Sequence, residues 1–121
     1  MLKERLENLL KTVTNEEDLQ IIDDSLEHIV KFSSVNAKTD ADLRFLRLKN
    51  LEPEDFIEER ERLLMSQYYN NKAAIISIRI LNRLCNLYKI EKVYLGEDTE
   101  EEILRFIEEL NKEFFGISYV G

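Results

Sequence analysis

Residues 73–85 read Ala-Ala-Ile-Ile-Ser-Ile-Arg-Ile-Leu-Asn-Arg-Leu-Cys, and this stretch decides the fold class of the 121-residue chain. It is apolar around most of a helical circumference, which is typical of a helix covered by other helices. Its isoleucines also allow a buried strand. However, no Gly or Pro flanks the run, and the helical spacing continues through Leu87 and Tyr88. We therefore expect a long central apolar helix.

The helical pattern extends upstream to Pro53. Proline suits the first position of a helix, and the acidic residues beside it suit the positive end of the helix dipole. No further Gly or Pro interrupts residues 54–88. Asn70 and Asn71 are the weakest point, so the sequence predicts either a break there or one kinked rod.

Three other segments have apolar residues at three- and four-residue steps, and each is predicted to be helical: 2–12, 14–32 and 99–114. The second and third begin with a capping-box pattern, in which a threonine is followed three residues later by an acid. Thr14 with Glu17 and Thr99 with Glu102 match this pattern. These threonines are therefore the predicted N-caps.

The connecting segments are less regular. We expect a loop at 33–36 and a short helix over 39–50, because Thr39 with Asp42 repeats the capping pattern. Residues 92–95 allow a short extended segment, with which 117–120 could pair, and Gly116 is a fitting C-cap. Taken together, the segments predict an all-α bundle of five or six helices in a single domain that spans residues 1–121.

Composition excludes several classes of protein. Hydrophobic residues make up 44% of the chain, which excludes a disordered protein. The net charge of −8 argues against nucleic-acid and membrane-surface binding, since phosphate groups repel an acidic protein. No apolar run is long enough to span a bilayer, and the charged N-terminus does not resemble a signal peptide. A single cysteine permits no internal disulfide, so a cytoplasmic protein is expected.

Charge is distributed unevenly along the chain. Residues 66–96 carry a net charge of +4, whereas the segments on either side carry −6 each. A basic middle between acidic flanks indicates that the segments pack together and neutralise one another.

The sequence offers little catalytic chemistry. His28 is the only histidine, and its predicted role is a surface pair with Asp24 rather than a general base. Cys85 has no evident activator and is predicted to be a small core residue. Glu58 and Glu61 lack an acidic partner on the central helix for a magnesium site, and no glycine-rich phosphate loop occurs. We expect no catalytic residue, no metal and no cofactor.

Arg79, Asn82 and Arg83 are the most informative residues, because they share one face of the most apolar helix and need polar partners there. Three interpretations stay open: salt bridges to acids of neighbouring helices, an anion pocket completed by Arg44 and Arg47, and an arginine-anchored interface. For Arg83 we expect a carboxylate partner within the same chain or within a dimer.

Tyrosines on the same segment bear on function. Tyr69 and Tyr88 combine with the arginines into a composition that is typical of interface centres. The leading prediction is a non-catalytic protein–protein interaction or regulatory module that forms a homodimer. The alternative is a binder or hydrolase of a small anionic ligand, a nucleotide or phosphorylated metabolite. In that case the arginine pair holds the phosphate, Asn82 orients it and a tyrosine stacks on the base.

Two stretches resemble a known family. Glu-Asp-Phe-Ile-Glu-Glu-Arg-Glu-Arg at 54–62, followed by the apolar run at 73–85, is similar to a family of short uncharacterised proteins from Gram-positive bacteria and their mobile elements. The resemblance covers about 54–115, and Arg79 stands where the family pattern has a polar amide. It implies a compact helical bacterial protein with a central Asn-Arg-Leu helix, and it implies no activity.

Overall fold

The computed structural model describes residues 2–114, which form four α-helices and one 3-10 turn. The elements are α1 (Leu2–Thr12), α2 (Glu16–Phe45), the 3-10 turn (Leu46–Lys49), α3 (Pro53–Leu87) and α4 (Glu100–Phe114). No residue between 2 and 114 lies in a strand, so the all-helical class is confirmed. The expected five or six helices are not confirmed, because two predicted segments are continuous within α2. Residues 92–95 form irregular backbone and not the extended segment that the sequence allowed. The predicted C-cap Gly116 and the predicted pairing segment 117–120 lie outside the described residues.

Helix starts follow from local side-chain chemistry. At α4, the Thr99 hydroxyl accepts a hydrogen bond from the backbone N–H of Glu102 at 3.3 Å, so this predicted N-cap is confirmed. At α2, the cap lies one residue later than the predicted Thr14. The Asn15 side-chain oxygen accepts from the N–H of Glu17 at 2.9 Å, which satisfies one of the free donors of the first turn.

Helix α2 runs without a break through 33–36, so the loop predicted there is wrong. Its hydroxyl side chains bond back to the helix instead of breaking it: the Thr39 hydroxyl donates to the carbonyl of Val35 at 2.9 Å. Ser33 is buried and accepts a hydrogen bond from Asn111 of α4 at 3.1 Å. Because the polar side chains of this segment find hydrogen-bond partners while the backbone stays helical, they do not require a loop.

Helix α3 starts at Pro53 and continues without a break through its predicted weak point at Asn70 and Asn71. It packs antiparallel to α2, and a layer of side-chain amides joins the two helices. The Asn36 amide donates to the Asn71 side-chain oxygen at 2.9 Å, and the Asn70 amide donates to the Asn36 oxygen at 3.0 Å and to the carbonyl of Phe32 at 3.1 Å. The two asparagines that suggested a break therefore set the register of α2 against α3.

The hydrophobic core lies at one end of this helix pair. Its buried side chains come from α1, the first half of α2, the second half of α3, the α3–α4 connection and α4. Helix α4 begins where Glu100 pairs with Lys72 of α3, and it ends where Asn111 donates to the carbonyl of Ile29 at 2.9 Å. It therefore crosses from α3 to α2 on one side of the pair.

The expectation that α3 is covered on all sides is not confirmed. Ile75, Ile78 and Leu81 are buried, but Ile76 within the same run is 52% exposed. The described helices cover α3 on the sides of α2 and α4 and leave a third side open. No helix in the described part of the chain is both long and apolar enough to span a membrane.

Candidate functional site

The connection between α3 and α4 is held in place by Asn82. Its amide donates to the carbonyl of Tyr94 at 2.9 Å, and its side-chain oxygen accepts from the N–H of the same residue at 2.9 Å. One side chain thus makes the paired hydrogen bonds that a neighbouring strand would make. The side-chain oxygen and one amide hydrogen of Asn82 are engaged with the backbone, and the ligand-orienting role predicted for this residue from the sequence stays a prediction.

Tyr94 organises the rest of this connection. Its ring is buried against Phe106 of α4 at a centroid distance of 4.9 Å, and its hydroxyl donates to the carbonyl of Glu97 at 2.5 Å. Burial raises the pKa of this phenol above its ordinary value. A Cβ at Gly96 would lie only 2.5 Å from the Tyr94 hydroxyl oxygen, so any larger residue at this position would displace the end of the Tyr94 side chain.

A cleft of about 470 Å³ lies between α3 and this connection, and its wall carries the cations Arg79, Arg83 and Lys92. Arg79 Nε donates to Asp98 Oδ1 at 2.9 Å, which fixes the guanidinium at the rim. Arg83, one turn further along α3, is exposed, and no carboxylate in residues 2–114 is within ion-pair distance of it. Within residues 2–114 the carboxylate partner expected for Arg83 is absent, and the other expected possibility, a carboxylate of a second copy in a dimer, stays a prediction.

Other residues singled out from the sequence lie elsewhere. The Tyr88 hydroxyl donates to Asp18 of α2 at 2.5 Å, and this bond raises the pKa of the phenol. Tyr69 is 62% exposed and lies edge-on to Tyr68 at 5.5 Å. Neither tyrosine lines the cleft.

Arg44 and Arg47 lie at the far end of the helix pair. Gln67 of α3 bonds to Asp40 of α2, so Arg44, one turn beyond, is level with about residue 63 of α3. Arg79 is then about 24 Å away along the helix axis, at 1.5 Å per residue. The proposed completion of an anion pocket by these two arginines is therefore excluded by geometry.

Besides Tyr94, sequence reasoning missed three polar side chains of the cleft, Asn86, Lys92 and Asp98. Asn86 follows Asn82 by four residues and Arg79 by seven, so helical spacing alone could have placed it on the same face. Lys92 comes from the irregular connection, whose position depends on Asn82 and Tyr94. Only the net charge of +4 over 66–96 pointed to it.

A second surface feature is the arm, which we define as residues 34–71, where α2 and α3 extend beyond the core with the 3-10 turn between them. Only Leu46 and Leu63 among its large apolar side chains are fully buried, and neither belongs to the main core. Eight others are 37–73% exposed: Phe45, Leu48, Leu51, Ile57, Leu64, Met65, Tyr68 and Tyr69.

Within residues 2–114, the structure does not group the side chains that could serve covalent catalysis or bind a metal ion. Cys85 is fully buried, as predicted, and burial raises the pKa of its thiol, which disfavours the nucleophilic thiolate. His28 is exposed on α2. Within the described residues no three His, Cys, Asp or Glu side chains are grouped to hold a metal ion. What the molecule presents is a basic cleft and an apolar arm.

No family model matches the chain, and no curated protein or solved structure is significantly similar to it. The resemblance of 54–115 to the bacterial family stays a prediction.

Proposed function

We propose that the protein is a non-catalytic protein–protein interaction module that associates through the arm. The observation that carries the proposal is an apolar stripe along α3. Ile57, Leu64, Tyr68 and Ile75 follow one another at seven- and four-residue steps and so lie on one face of the helix. Ile75 is buried beside the start of α4, whereas the upstream three are 39–57% exposed.

The exposed area of the arm is large enough for a stable complex. Its eight exposed apolar side chains keep about half of their surface in contact with solvent. At roughly 100 Å² for each half-exposed large side chain, they present about 800 Å² in total. A standard interface buries about that area on each partner. Exposed apolar surface that is gathered in one region of a protein is typical of an interaction site.

The partner that fits this surface best is a second copy of the chain. The arm carries opposite charges on its two sides: residues 38–49 have four bases and two acids, and residues 52–62 have six acids and two bases. A two-fold axis brings the basic side of one arm onto the acidic side of the other, and each contact then occurs twice. We therefore expect a homodimer joined through the arms, in the reducing cytoplasm where the lone Cys85 stays a thiol.

Self-association can be tested by sedimentation velocity over a range of protein concentrations. Wild type should sediment as a dimer of the 14.4-kDa chain. Leu64→Arg should shift the protein to monomer, because it places a charge in the middle of the exposed stripe. Leu87→Arg is the matched control: Leu87 is 70% exposed at the core end of α3 and lies outside the arm.

Two results would contradict the proposal. One is a wild-type monomer at about 0.5 mM, a concentration at which even a weak dimer with a Kd near 0.1 mM is mostly associated. The other is equal dissociation by Leu64→Arg and Leu87→Arg, which would show that added charge alone, and not its place on the arm, disrupts the dimer. Far-UV circular dichroism of both variants confirms that the helices are retained.

A further inference from the structure

We infer that the cleft between α3 and the α3–α4 connection binds the phosphate group of a small phosphorylated metabolite. The inference is separate from the proposed function, because the cleft and the arm share no residue. It rests on the local charge, on the prepared shape of the cleft and on the groups that are left unpaired in its wall.

The local charge is opposite to that of the whole protein. The chain carries −8, but the cleft wall carries the three cations Arg79, Arg83 and Lys92 against the single carboxylate Asp98, a net of +2. Acidic residues elsewhere repel anions from most of the surface, so an anion that approaches the protein is directed to this cleft. Three cations that line one cleft also repel one another, and an anionic ligand reduces this repulsion.

The cleft is shaped before any ligand arrives. Its outer wall is the connection that Asn82 holds by two hydrogen bonds, and in this wall Gly96 leaves room for the Tyr94 hydroxyl. Few groups must therefore be ordered when a ligand binds, which lowers the entropic cost of binding. Ile78, Leu95 and Ile103 supply an apolar side of the cleft for the body of a ligand. The volume of about 470 Å³ matches that of small-molecule sites.

The arginines have donors to spare. Asp98 accepts a hydrogen bond from Arg79 Nε. Within residues 2–114 no acceptor is hydrogen-bonded to the two Nη groups of Arg79. Arg83 offers a whole guanidinium one turn away. Planar arginine forks bind the oxygens of a phosphate in pairs, and this geometry selects phosphate over a monovalent halide. Lys92 adds a point charge from the opposite wall.

The test is a titration with AMP, a phosphate monoester, followed by amide NMR shifts at a constant ionic strength of about 0.15 M, because exposed charges are screened by salt. AMP should move the signals of residues 78–98 in a saturable way, with a Kd below about 1 mM. Adenosine, which lacks the phosphate, should not. Inorganic phosphate should move the same signals with weaker affinity, because it lacks the apolar contacts.

Variants assign the binding to the cleft. Arg83→Gln and Lys92→Gln should each weaken AMP binding at least ~10-fold, since each removes a charged donor. Both side chains are exposed, so the fold should survive. Arg105→Gln is the matched control, because Arg105 is an exposed arginine of α4 that pairs with Glu101 and Glu102 outside the cleft. It should bind AMP like wild type.

Three outcomes would overturn the inference. They are the absence of a saturable shift up to about 10 mM AMP, equal weakening by Arg83→Gln and Arg105→Gln, and equal binding of adenosine and AMP. The Leu64→Arg variant separates this inference from the proposed function. It should lose self-association and keep AMP binding, so failure of either claim leaves the other intact.

Discussion

Asn82 is the side chain whose removal tests the structure most directly. In Asn82→Ala, the N–H and C=O of Tyr94 both lose their partner at 2.9 Å, and Tyr94 is only 8% exposed. Each lost hydrogen bond costs about 0.5–1.5 kcal/mol, and a buried backbone group left unpaired costs about 1–3 kcal/mol. Because water reaches part of this region after relaxation, we expect a total loss of about 2–4 kcal/mol in the free energy of unfolding.

The assay is urea denaturation followed by far-UV circular dichroism, together with a thermal melt. For a chain of 121 residues, 1 kcal/mol corresponds to about 4 °C, so the melting temperature should fall by about 8–16 °C. Asn82→Asp keeps an acceptor for the Tyr94 N–H but loses the donor to the Tyr94 carbonyl. It should therefore lose at least half as much stability as Asn82→Ala.

Asn86→Ala is the control, since Asn86 lies one turn away on the same helix and its side chain is exposed. It should change stability by no more than about 0.5 kcal/mol. If Asn82→Ala costs no more than Asn86→Ala, the paired hydrogen bonds do not hold the connection, and the argument for a cleft shaped in advance fails with them.

Three further predictions concern the rest of the described chain. Asn36→Ala should lower the free energy of unfolding by about 1–3 kcal/mol, because it leaves the side-chain amides of Asn70 and Asn71 without this partner. A urea midpoint equal to that of the exposed control Ser34→Ala would contradict this. The Cys85 thiol should react with a disulfide reagent at least ~100-fold more slowly in the native protein than in the unfolded protein, because the reaction requires the core to open. Rapid reaction of the thiol in the native protein would refute its burial. The raised pKa of Tyr94 means that the folded protein holds its proton more tightly than the unfolded one. The contribution of Tyr94 to stability should therefore be constant below about pH 10 and fall as the pH rises from there towards the folded pKa, and Tyr94→Phe should make the alkaline fall in stability shallower in pH-dependent melts.

Much of the architecture could be read from local patterns. Pro53 predicted the start of α3, Thr99 predicted the start of α4, and the apolar run of residues 73–85 predicted a helix, although not its open side. These features depend on neighbours three or four residues away, such as capping groups and apolar spacing. Features that depend only on such near neighbours can be predicted from the sequence alone.

The errors have a common cause, which is that polar residues were assigned without knowledge of their distant partners. Ser33 and Asn36 suggested a loop, but Asn111 and Asn71 satisfy them inside a continuous helix. Arg83 was expected to pair with a carboxylate of the same chain or of a dimer partner, and it lies exposed on α3 with no such partner within residues 2–114. In each case an isolated side chain has several plausible partners, and the sequence does not select among them.

The sequence by itself determined the helical class, the single buried thiol of Cys85 and the position of the most apolar helix, because helix formation and apolar periodicity act within a few residues. Only the tertiary structure decided that Asn82 clamps Tyr94, that Lys92 joins Arg79 and Arg83 in one cleft, and that the arm extends beyond α4 with its apolar stripe uncovered. Those features depend on contacts between residues that are 10 to 80 positions apart. Such contacts are selected by the packing of the whole core, because burial favours arrangements in which most of the polar groups are hydrogen-bonded.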